Sequence, residues 1–267
     1  MKFDKNEIFS LWIKNPPTKL NYYCWQSWID LNYKVTLFYD DLKLFSEMPL
    51  RLKQKIQLRD VTSLPFFNID SENLLQFTDV WRFMFLLNYG GTWLDSDVFL
   101  MRRLPDFNII LSSERTFQSG GRKCKDLFRP NIGALRFPPY HPFVLAVVDK
   151  IRPLTKEDKN DSKNSTSKMI KYQKLLKTKK WLHMNQYVLE PDAFCPIDAP
   201  FAKEIYMNDI NEEVKTKYGL TYNTDLSNSY GVHLWNNVCR LKKIDFENET
   251  NIHKNSLWNQ LKDLKTI

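Results

Sequence analysis

The chain has 267 residues, of which 43% are apolar and 14% aromatic, and its formal net charge is +8. The apolar share is ordinary for a soluble globular protein and the aromatic share is rich, and the length suffices for one large α/β domain, or one domain with a smaller appendage. The positive charge favours anionic partners, including a phosphorylated small molecule. The Lys/Arg runs are too short for a nucleic-acid arm, and the run at residues 240–243 is interpreted as a solvated face, so nucleic acid is not expected as a partner.

Cysteine usage and hydropathy exclude several further classes of protein. The four cysteines are scattered without a zinc-binding spacing or a disulfide framework, so we expect buried free thiols in a reducing compartment. No run of about 18 apolar residues exists, so no transmembrane segment is expected. Acidic residues occupy the N-terminus in place of a signal peptide, and a cytoplasmic location is predicted, which leaves room for a peripheral membrane contact. The cysteines are Cys24, Cys124, Cys195 and Cys239.

The first three predicted elements form a βαβ unit. Residues 8–13 predict a strand, residues 21–32 a helix with an aromatic face, and residues 34–39 a second strand. A strand, a helix and a strand within some 35 residues indicate a parallel sheet. Ligands of such sheets bind at the carboxyl ends of the strands, where Trp12, Asp40 and Asp41 are expected.

The remaining elements continue this alternation. Residues 71–89 predict a helix that ends at Gly90 and Gly91, and an apolar stretch follows at residues 93–101. Further strands are expected at residues 107–111, 131–135, 187–197 and 230–235, with a polar segment at residues 112–129. Residues 141–151 predict a helix, and residues 155–168 an exposed loop.

Two aspartates interrupt the apolar stretch, at Asp95 and Asp97. In an extended segment, residues two apart point to one side, so both carboxylates could converge on one cation. A buried carboxylate pair without a partner would cost several kcal/mol. Hard oxygen ligands suit Mg²⁺ or Mn²⁺ bridging a diphosphate. Because a D-x-D pattern arises often by chance, its context decides its weight.

The preceding helix supplies that context through Asp79 and Arg82. These residues lie three apart and therefore share a helix face, which we expect to be directed at the same strand end. An ion pair inside an otherwise apolar helix is unfavourable unless it serves a function, although a surface ion pair on an amphipathic helix is the structural alternative.

Two segments together resemble a known signature. Residues 77–82 (FTDVWR) and residues 89–97 (YGGTWLDSD) are similar to the pattern sD-x-x-R…YGG-x-Y-x-D-x-D of glycosyltransferases with a DxD sugar-binding region. That family includes capsular polysaccharide and yeast mannosyl-type transferases and, distantly, clostridial glucosylating toxins. The opening strand and helix and the segment GVHLWN at residues 231–236 extend the similarity thinly over most of the chain.

The resemblance implies a single GT-A domain over residues 1–267, an α/β fold with a Rossmann-like, mainly parallel central sheet flanked by helices. Residues 1–110 would form the nucleotide-sugar-binding half, and residues 111–267 the acceptor-side half with a C-terminal closing segment. The implied donor is a UDP- or GDP-sugar, the cofactor Mn²⁺ or Mg²⁺, and the acceptor a glycan or glycoconjugate. The enzyme would be a hexosyl- or pentosyltransferase that retains anomeric configuration.

The resemblance also implies roles for individual residues. Metal ligands would be Asp95, Asp97 and His233, and the residues of the catalytic step would be Asp79, Arg82 and Asp97. The nucleotide sugar would contact a wider set, with Asn131 and Gln186 at the floor of the sugar pocket. That set comprises Trp12, Asp79, Arg82, Asp95, Ser96, Asn131, Gln186, Trp235 and Asn236.

One departure and two alternatives accompany this interpretation. Residues 185–190 lack the Gly-Pro-x-x-x-Thr pattern common in the family, which leaves the acceptor side open. A phosphohydrolase of the haloacid-dehalogenase type also uses a D-x-D-x-[TV] motif, but on its first strand. A non-catalytic carbohydrate- or nucleic-acid-binding protein is the second alternative, and it would tolerate the loss of Asp97.

Overall fold

The structure is a computed structural model. It describes residues 3–65, 74–117, 123–151, 166–202, 226–241, 243–244 and 252–263.

The chain opens with the predicted βαβ unit. Strand β1 spans Glu7–Leu11, helix α1 Lys19–Asp30 and strand β2 Lys34–Tyr39, followed by helix α2 (Leu50–Lys55) and strand β3 (Ile56–Asp60). The pairs β1–β2 and β2–β3 are both parallel. Strands β1 and β2 are mostly apolar and buried, as expected for strands of a parallel sheet that is covered on both faces.

Helix α3 spans Leu74–Tyr89, and the first three residues predicted for it, 71–73, lie outside the described residues. It ends at Gly90, whose φ of 65° places it in the left-handed region. A Cβ atom at Gly90 would lie 2.6 Å from the backbone nitrogen of Pro139. Only a glycine fits at this position, where the helix ends. Strand β4 (Gly91–Leu94) begins at the next residue and pairs in parallel with β1.

Strand β5 (Val98–Leu100) is followed by a long hairpin of β6 (Ile110–Phe117) and β7 (Lys123–Phe137), and β7 pairs antiparallel with β4. The strand predicted at residues 107–111 thus begins only at Ile110. The segment described as polar at residues 112–129 contributes residues 112–117 to β6 and residues 123–129 to β7, and no strand was predicted there. Hydropathy misses these strands because their buried polar side chains hydrogen-bond to one another.

Helices α4 (Pro142–Ile151) and α5 (Thr166–Leu176) pack beside α3. The loop predicted at residues 155–168 overlaps the first turn of α5, and its remainder lies outside the described residues. The strand predicted at residues 187–197 was also wrong. This segment contains the end of one 3₁₀ helix (Leu182–Tyr187) and a second (Pro191–Ala193), and only Val188 bridges to Leu111. Pro191 and Pro196 lack the N–H donor that a continuous ladder requires.

The C-terminal part adds strand β8 (Gly231–His233), helix α6 (Asn236–Leu241) and helix α7 (Leu257–Asp263). Strand β8 pairs antiparallel with β5 in a small second sheet.

The six-stranded central sheet has the order β3-β2-β1-β4-β7-β6, and β7 alone runs against its other strands. One apolar cluster joins the sheet to α3, α4 and α5, and a second joins it to α1. The predicted α/β class, with a mainly parallel central sheet flanked by helices, is confirmed. Among the described helices, none combines the length and hydropathy needed to span a bilayer.

Three cysteines are buried free thiols, as predicted: Cys24, Cys195 and Cys239. The side chain of Cys124 lies outside the described part of the chain.

Candidate functional site

The two aspartates lie on a turn at the carboxyl end of β4. Asp95 follows Leu94 directly, and the backbone nitrogen of Val98 donates to the Asp95 carbonyl at 2.9 Å. The predicted extended geometry of residues 95–97 was therefore wrong, because a turn brings the carboxylates together. Ser96 anchors this turn. Its hydroxyl lies 2.9 Å from the hydroxyl of Ser10, and its carbonyl accepts from Asn21 Nδ2 at 3.1 Å.

His233 joins the aspartates through the pairing of β8 with β5, in which it lies opposite Val98. One ligand atom each from Asp95, Asp97 and His233 lies within 4.8 Å of the others. His233 Nε2 is 3.3 Å from Asp97 Oδ1. The structure thus brings together all three residues predicted as metal ligands.

The donor set fits a divalent cation. Two carboxylates and one imidazole are ligands that Mn²⁺ and Mg²⁺ sites accept, with the carboxylates the harder donors. Ligand atoms bound at about 2.1 Å to one ion lie at most about 4.2 Å apart, so the observed spacing requires only small side-chain rotations. Asp95, Asp97 and His233 would hold such an ion, leaving open positions for a ligand.

Arg82 connects helix α3 to the turn. Its Nη2 lies 3.5 Å from Asp79 Oδ1 and 3.1 Å from Asp95 Oδ1, and its Nη1 donates to the Ile132 carbonyl at 2.6 Å. The guanidinium also lies over the ring of Trp93, 5.2 Å from its centroid. The predicted direction of the Asp79–Arg82 face is therefore confirmed. Because the pair is buried, the surface ion-pair alternative was wrong.

Electrostatics couple Asp97 and His233. Burial by itself raises the pKa of Asp97, but the charge and hydrogen bond of His233 and the backbone N–H of Asn236 outweigh it and hold the pKa below its usual value. Burial by itself lowers the pKa of His233, but the charge and hydrogen bond of Asp97, with a contribution from Cys195, raise the pKa well above its usual value. The carboxylate of Asp97 and the imidazolium of His233 thus stabilise each other's charged forms.

Asp95 has a different environment. Burial raises its pKa, the Arg82 guanidinium lowers it, and the neighbouring Asp97 carboxylate raises it, with a net increase. Trp93 Nε1 donates to Asp95 Oδ1 at 2.8 Å. A bound cation would offset the repulsion between the two carboxylates.

The residues at the start of α6 reach the turn through their backbone. The Asn236 nitrogen donates to Asp97 Oδ2 at 2.8 Å, and the Leu234 nitrogen donates to the Asp97 carbonyl at 2.8 Å. Trp235 stacks on the imidazole of His233, with ring centroids 4.1 Å apart, and its Nε1 donates to the Ile197 carbonyl at 2.7 Å. The predicted C-terminal segment therefore packs directly on the D-x-D turn.

A cleft of 680 Å³ opens beside the turn. Trp12 and Thr18 line one part of it, and Thr78, the neighbour of Asp79, lines another. Asn236 belongs both to this lining and to the contacts of Asp97. Trp12 thus lies at the cleft, and its contact with a base stays a prediction.

Sequence reasoning missed two cationic residues of this cleft. Arg240 and Lys243 line it, although the run at residues 240–243 was interpreted as a solvated face. Their position five and eight residues after Trp235, which ends the H-x-W segment, was the available signal. Asn131 is buried next to Gly133, close to His233, whereas Gln186 is exposed on the 3₁₀ helix Leu182–Tyr187. No contact described for Gln186 connects it to the three ligands, and its role stays a prediction.

Two family profiles match the chain. Residues 17–117 match the glycosyltransferase sugar-binding region containing the DXD motif, and residues 164–260 match the alpha 1,4-glycosyltransferase conserved region. The first match confirms the resemblance to glycosyltransferases with a DXD-containing sugar-binding region. Comparison with curated proteins finds no significant match.

Solved structures of glycosyltransferases are also similar. The PaToxG glycosyltransferase shares 14% identity at a TM-score of 0.47, over 86% of this chain and 89% of that chain. Glycosyltransferase GlyE of Streptococcus pneumoniae TIGR4 shares 15% identity at a TM-score of 0.46, and the match spans 86% of this chain and 54% of GlyE.

Replacing His233 with Gln should remove a pH-dependent part of the stability of the metal-free protein. The raised pKa of His233 means that the pair loses its contribution as pH rises through that value, and the lowered pKa of Asp97 means a loss as pH falls through that one. The contribution is therefore greatest between about pH 4 and pH 6.5, the ordinary pKa values of the two groups. Thermal unfolding in a chelator from pH 4 to 9 measures it. The exposed His253→Gln is the control, and a Tm difference independent of pH would contradict the expectation.

Proposed function

We propose that this protein transfers a hexosyl or pentosyl group from a UDP- or GDP-sugar to a hydroxyl of a glycan or glycoconjugate, with Mn²⁺ or Mg²⁺ as cofactor and with retention of configuration. The observation that carries the proposal is the convergence of Asp95, Asp97 and His233 beside the 680 Å³ cleft. Two parts of a nucleotide sugar need these two features, since the diphosphate needs a cation and the nucleoside needs a cavity.

A bound divalent cation supplies Lewis-acid stabilisation of the negative charge that develops on the departing diphosphate. The chain supplies the framework for this chemistry. Arg82 is held by Asp79, Asp95 and the Ile132 carbonyl, so its guanidinium is oriented before the donor binds. Asp79 and Arg82 are proposed to bind hydroxyls of the donor sugar, because Thr78, the neighbour of Asp79, already lines the cleft.

The cleft is proposed to hold the nucleoside diphosphate. Trp12 offers an aromatic surface for the base, and its Nε1 is fixed by donating to the Asn15 carbonyl at 2.6 Å. Arg240 and Lys243 bring two positive charges to the same cavity, where a diphosphate would neutralise them. Asn236 lines this cavity and donates its backbone N–H to Asp97, which supports a diphosphate position next to the three ligands.

The proposed reaction is a front-face displacement. The acceptor oxygen forms a bond to the anomeric carbon on the face from which the diphosphate leaves. The bond between that carbon and the phosphate oxygen breaks, the nucleoside diphosphate keeps the electron pair, and the acceptor proton passes to the departing phosphate oxygen. The match of residues 164–260 to an alpha 1,4-glycosyltransferase region supports an α-linked product.

The first prediction concerns the donor. In a panel of UDP- and GDP-sugars with Mn²⁺, at least one should raise the Tm and be hydrolysed slowly. Asp97→Asn should reduce this turnover at least about a hundredfold, because it removes a charged ligand from the cation that stabilises the leaving group. The exposed Asp149→Asn is the matched control. Binding of no nucleotide sugar, or unchanged turnover in Asp97→Asn, would refute the proposal.

The second prediction concerns the cleft. Arg240→Met should weaken the binding of UDP or GDP in the presence of Mn²⁺ by about tenfold, which corresponds to the loss of one charge-assisted hydrogen bond. Isothermal titration calorimetry measures the dissociation constant. Lys254→Met, which removes an exposed charge outside the cleft, should leave the constant unchanged. If both substitutions weakened nucleotide binding equally, the effect would come from net charge, and the proposed binding of the diphosphate in this cleft would be contradicted.

The third prediction concerns stereochemistry. With an α-linked nucleotide sugar that the protein accepts, the product should carry an α linkage. The anomeric proton coupling in the NMR spectrum of the isolated product reports the configuration directly. An inverted linkage would end the front-face proposal while leaving the donor and the cation in place.

A further inference from the structure

The hairpin of β6 and β7 contains an irregularity next to the site. Leu111 of β6 pairs with Leu135 of β7, but Ser113 pairs with Pro130. Four residues of β7, 131–134, therefore lie opposite the single residue Ser112. This is a large bulge, and we call residues 131–134 the β7 bulge. Bulges of this kind often redirect chain next to functional sites.

Side chains from β6 replace the hydrogen bonds that the bulge interrupts. The Ser112 hydroxyl accepts from the Ala134 nitrogen at 3.1 Å and donates to the Asn131 carbonyl at 3.3 Å. Glu114 accepts from Asn131 Nδ2 through Oε2 at 2.8 Å and from Arg129 Nε through Oε1 at 2.6 Å. The conformation of the bulge is therefore held by side chains rather than by a regular ladder.

The opposite side of the bulge holds the D-x-D turn. The Gly133 carbonyl accepts from the Asp95 nitrogen at 2.8 Å, and the Ile132 carbonyl accepts from Arg82 Nη1 at 2.6 Å. Asn131 Oδ1 accepts from the Gly133 nitrogen at 2.6 Å, which connects the side-chain amide to this backbone. A continuous chain of hydrogen bonds thus runs from Glu114 through Asn131 and Gly133 to Asp95.

The space around Gly133 is too small for a larger side chain. A Cβ atom on Gly133 would lie 3.2 Å from Cε1 and Nδ1 of His233. The bulge therefore lies close beside the imidazole and bonds directly to the backbone of Asp95, so a shift of its backbone would disturb the spacing of these two ligands. Displacements of this kind weaken a metal site because ligand geometry must be held closely.

Glu114 is 6% exposed, and both of its carboxylate oxygens accept hydrogen bonds from Arg129 and Asn131. A carboxylate engaged in this way is not a free nucleophile. It is instead a charged acceptor that fixes the orientation of the Asn131 amide, so that Nδ2 faces Glu114 and Oδ1 faces the Gly133 nitrogen.

We propose that Glu114 is a positioning residue that acts through Asn131 and the β7 bulge to hold Asp95 and His233 at the spacing that binds the divalent cation. The inference rests on the proposed function. It assigns to a residue of the acceptor-side half a role in the affinity for the cation.

The test compares Glu114→Gln with Glu114→Met. Gln keeps an oxygen acceptor for Asn131 Nδ2, whereas Met has a similar volume and no acceptor of comparable strength. Mn²⁺ titration followed by electron paramagnetic resonance should give a dissociation constant within about twofold of wild type for Glu114→Gln. For Glu114→Met it should be raised about tenfold, the lower end of the effect of losing an outer partner of a metal ligand.

A second variant covers the case in which Glu114→Met does not fold. Glu114→Asp is too short to reach Arg129 and Asn131 together, so it should also raise the dissociation constant for Mn²⁺ relative to Glu114→Gln. Glu47→Met, at an exposed carboxylate, is the control and should bind Mn²⁺ as wild type does. Unfolding curves recorded in parallel separate affinity from stability, because a residue that served stability alone would lower the Tm without changing the Mn²⁺ constant.

The outcomes distinguish the inference from the proposed function. Wild-type protein that fails to bind Mn²⁺ overturns the metal-dependent function and this inference with it. Wild-type protein that binds Mn²⁺, together with folded Glu114→Met or Glu114→Asp that binds it equally well, overturns the inference alone. The inference is supported if the dissociation constant for Mn²⁺ rises in Glu114→Met and Glu114→Asp and stays near the wild-type value in Glu114→Gln.

Discussion

The site depends on two partly buried aspartates two residues apart, whose mutual repulsion must be offset by fixed positive partners. Asp95 receives the guanidinium of Arg82, and Asp97 receives the imidazole of His233. Arg82 comes from the preceding helix, and His233 comes from the C-terminal part of the chain. The fold can therefore contain this turn only if helix α3 and strand β8 both reach the carboxyl end of β4, which makes the electrostatic requirement of one turn a constraint on distant elements.

The sheet meets this constraint through its order. Strands β1 and β4 run parallel as neighbours, so residues that follow them share one edge. Strand β7 runs the other way beside β4, and its bulge presents carbonyls to Arg82 and to the Asp95 nitrogen. Strand β8 joins β5 immediately after the turn. The D-x-D turn is thus bordered by the parallel pair β1–β4 and by the antiparallel pairs β4–β7 and β5–β8. The cleft lies on the side of Trp12 and Arg240.

The sequence predicted the parts of this arrangement that rest on local pattern. The period of the βαβ unit, the glycines after α3 and the spacing of Asp79 and Arg82 are all local, and they predicted the sheet class and the direction of that helix face. The sequence did not predict features whose contacting residues lie far away in the chain. The strands of the β6–β7 hairpin look polar because Glu114 and Asn131 satisfy each other, and the cationic role of Arg240 depends on where α6 docks. A side chain whose environment comes from another element carries no local signal of that environment.

The link between Asp97 and the backbone nitrogen of Asn236 joins residues 139 positions apart. Closing so long a loop is entropically unfavourable, and Asp97 contacts His233 and the Asn236 nitrogen only when the loop is closed. A cation that binds Asp95, Asp97 and His233 together would therefore stabilise the docked position of the C-terminal segment by mass action. The three residues are therefore held together only in a chain whose C-terminal segment has docked on the turn.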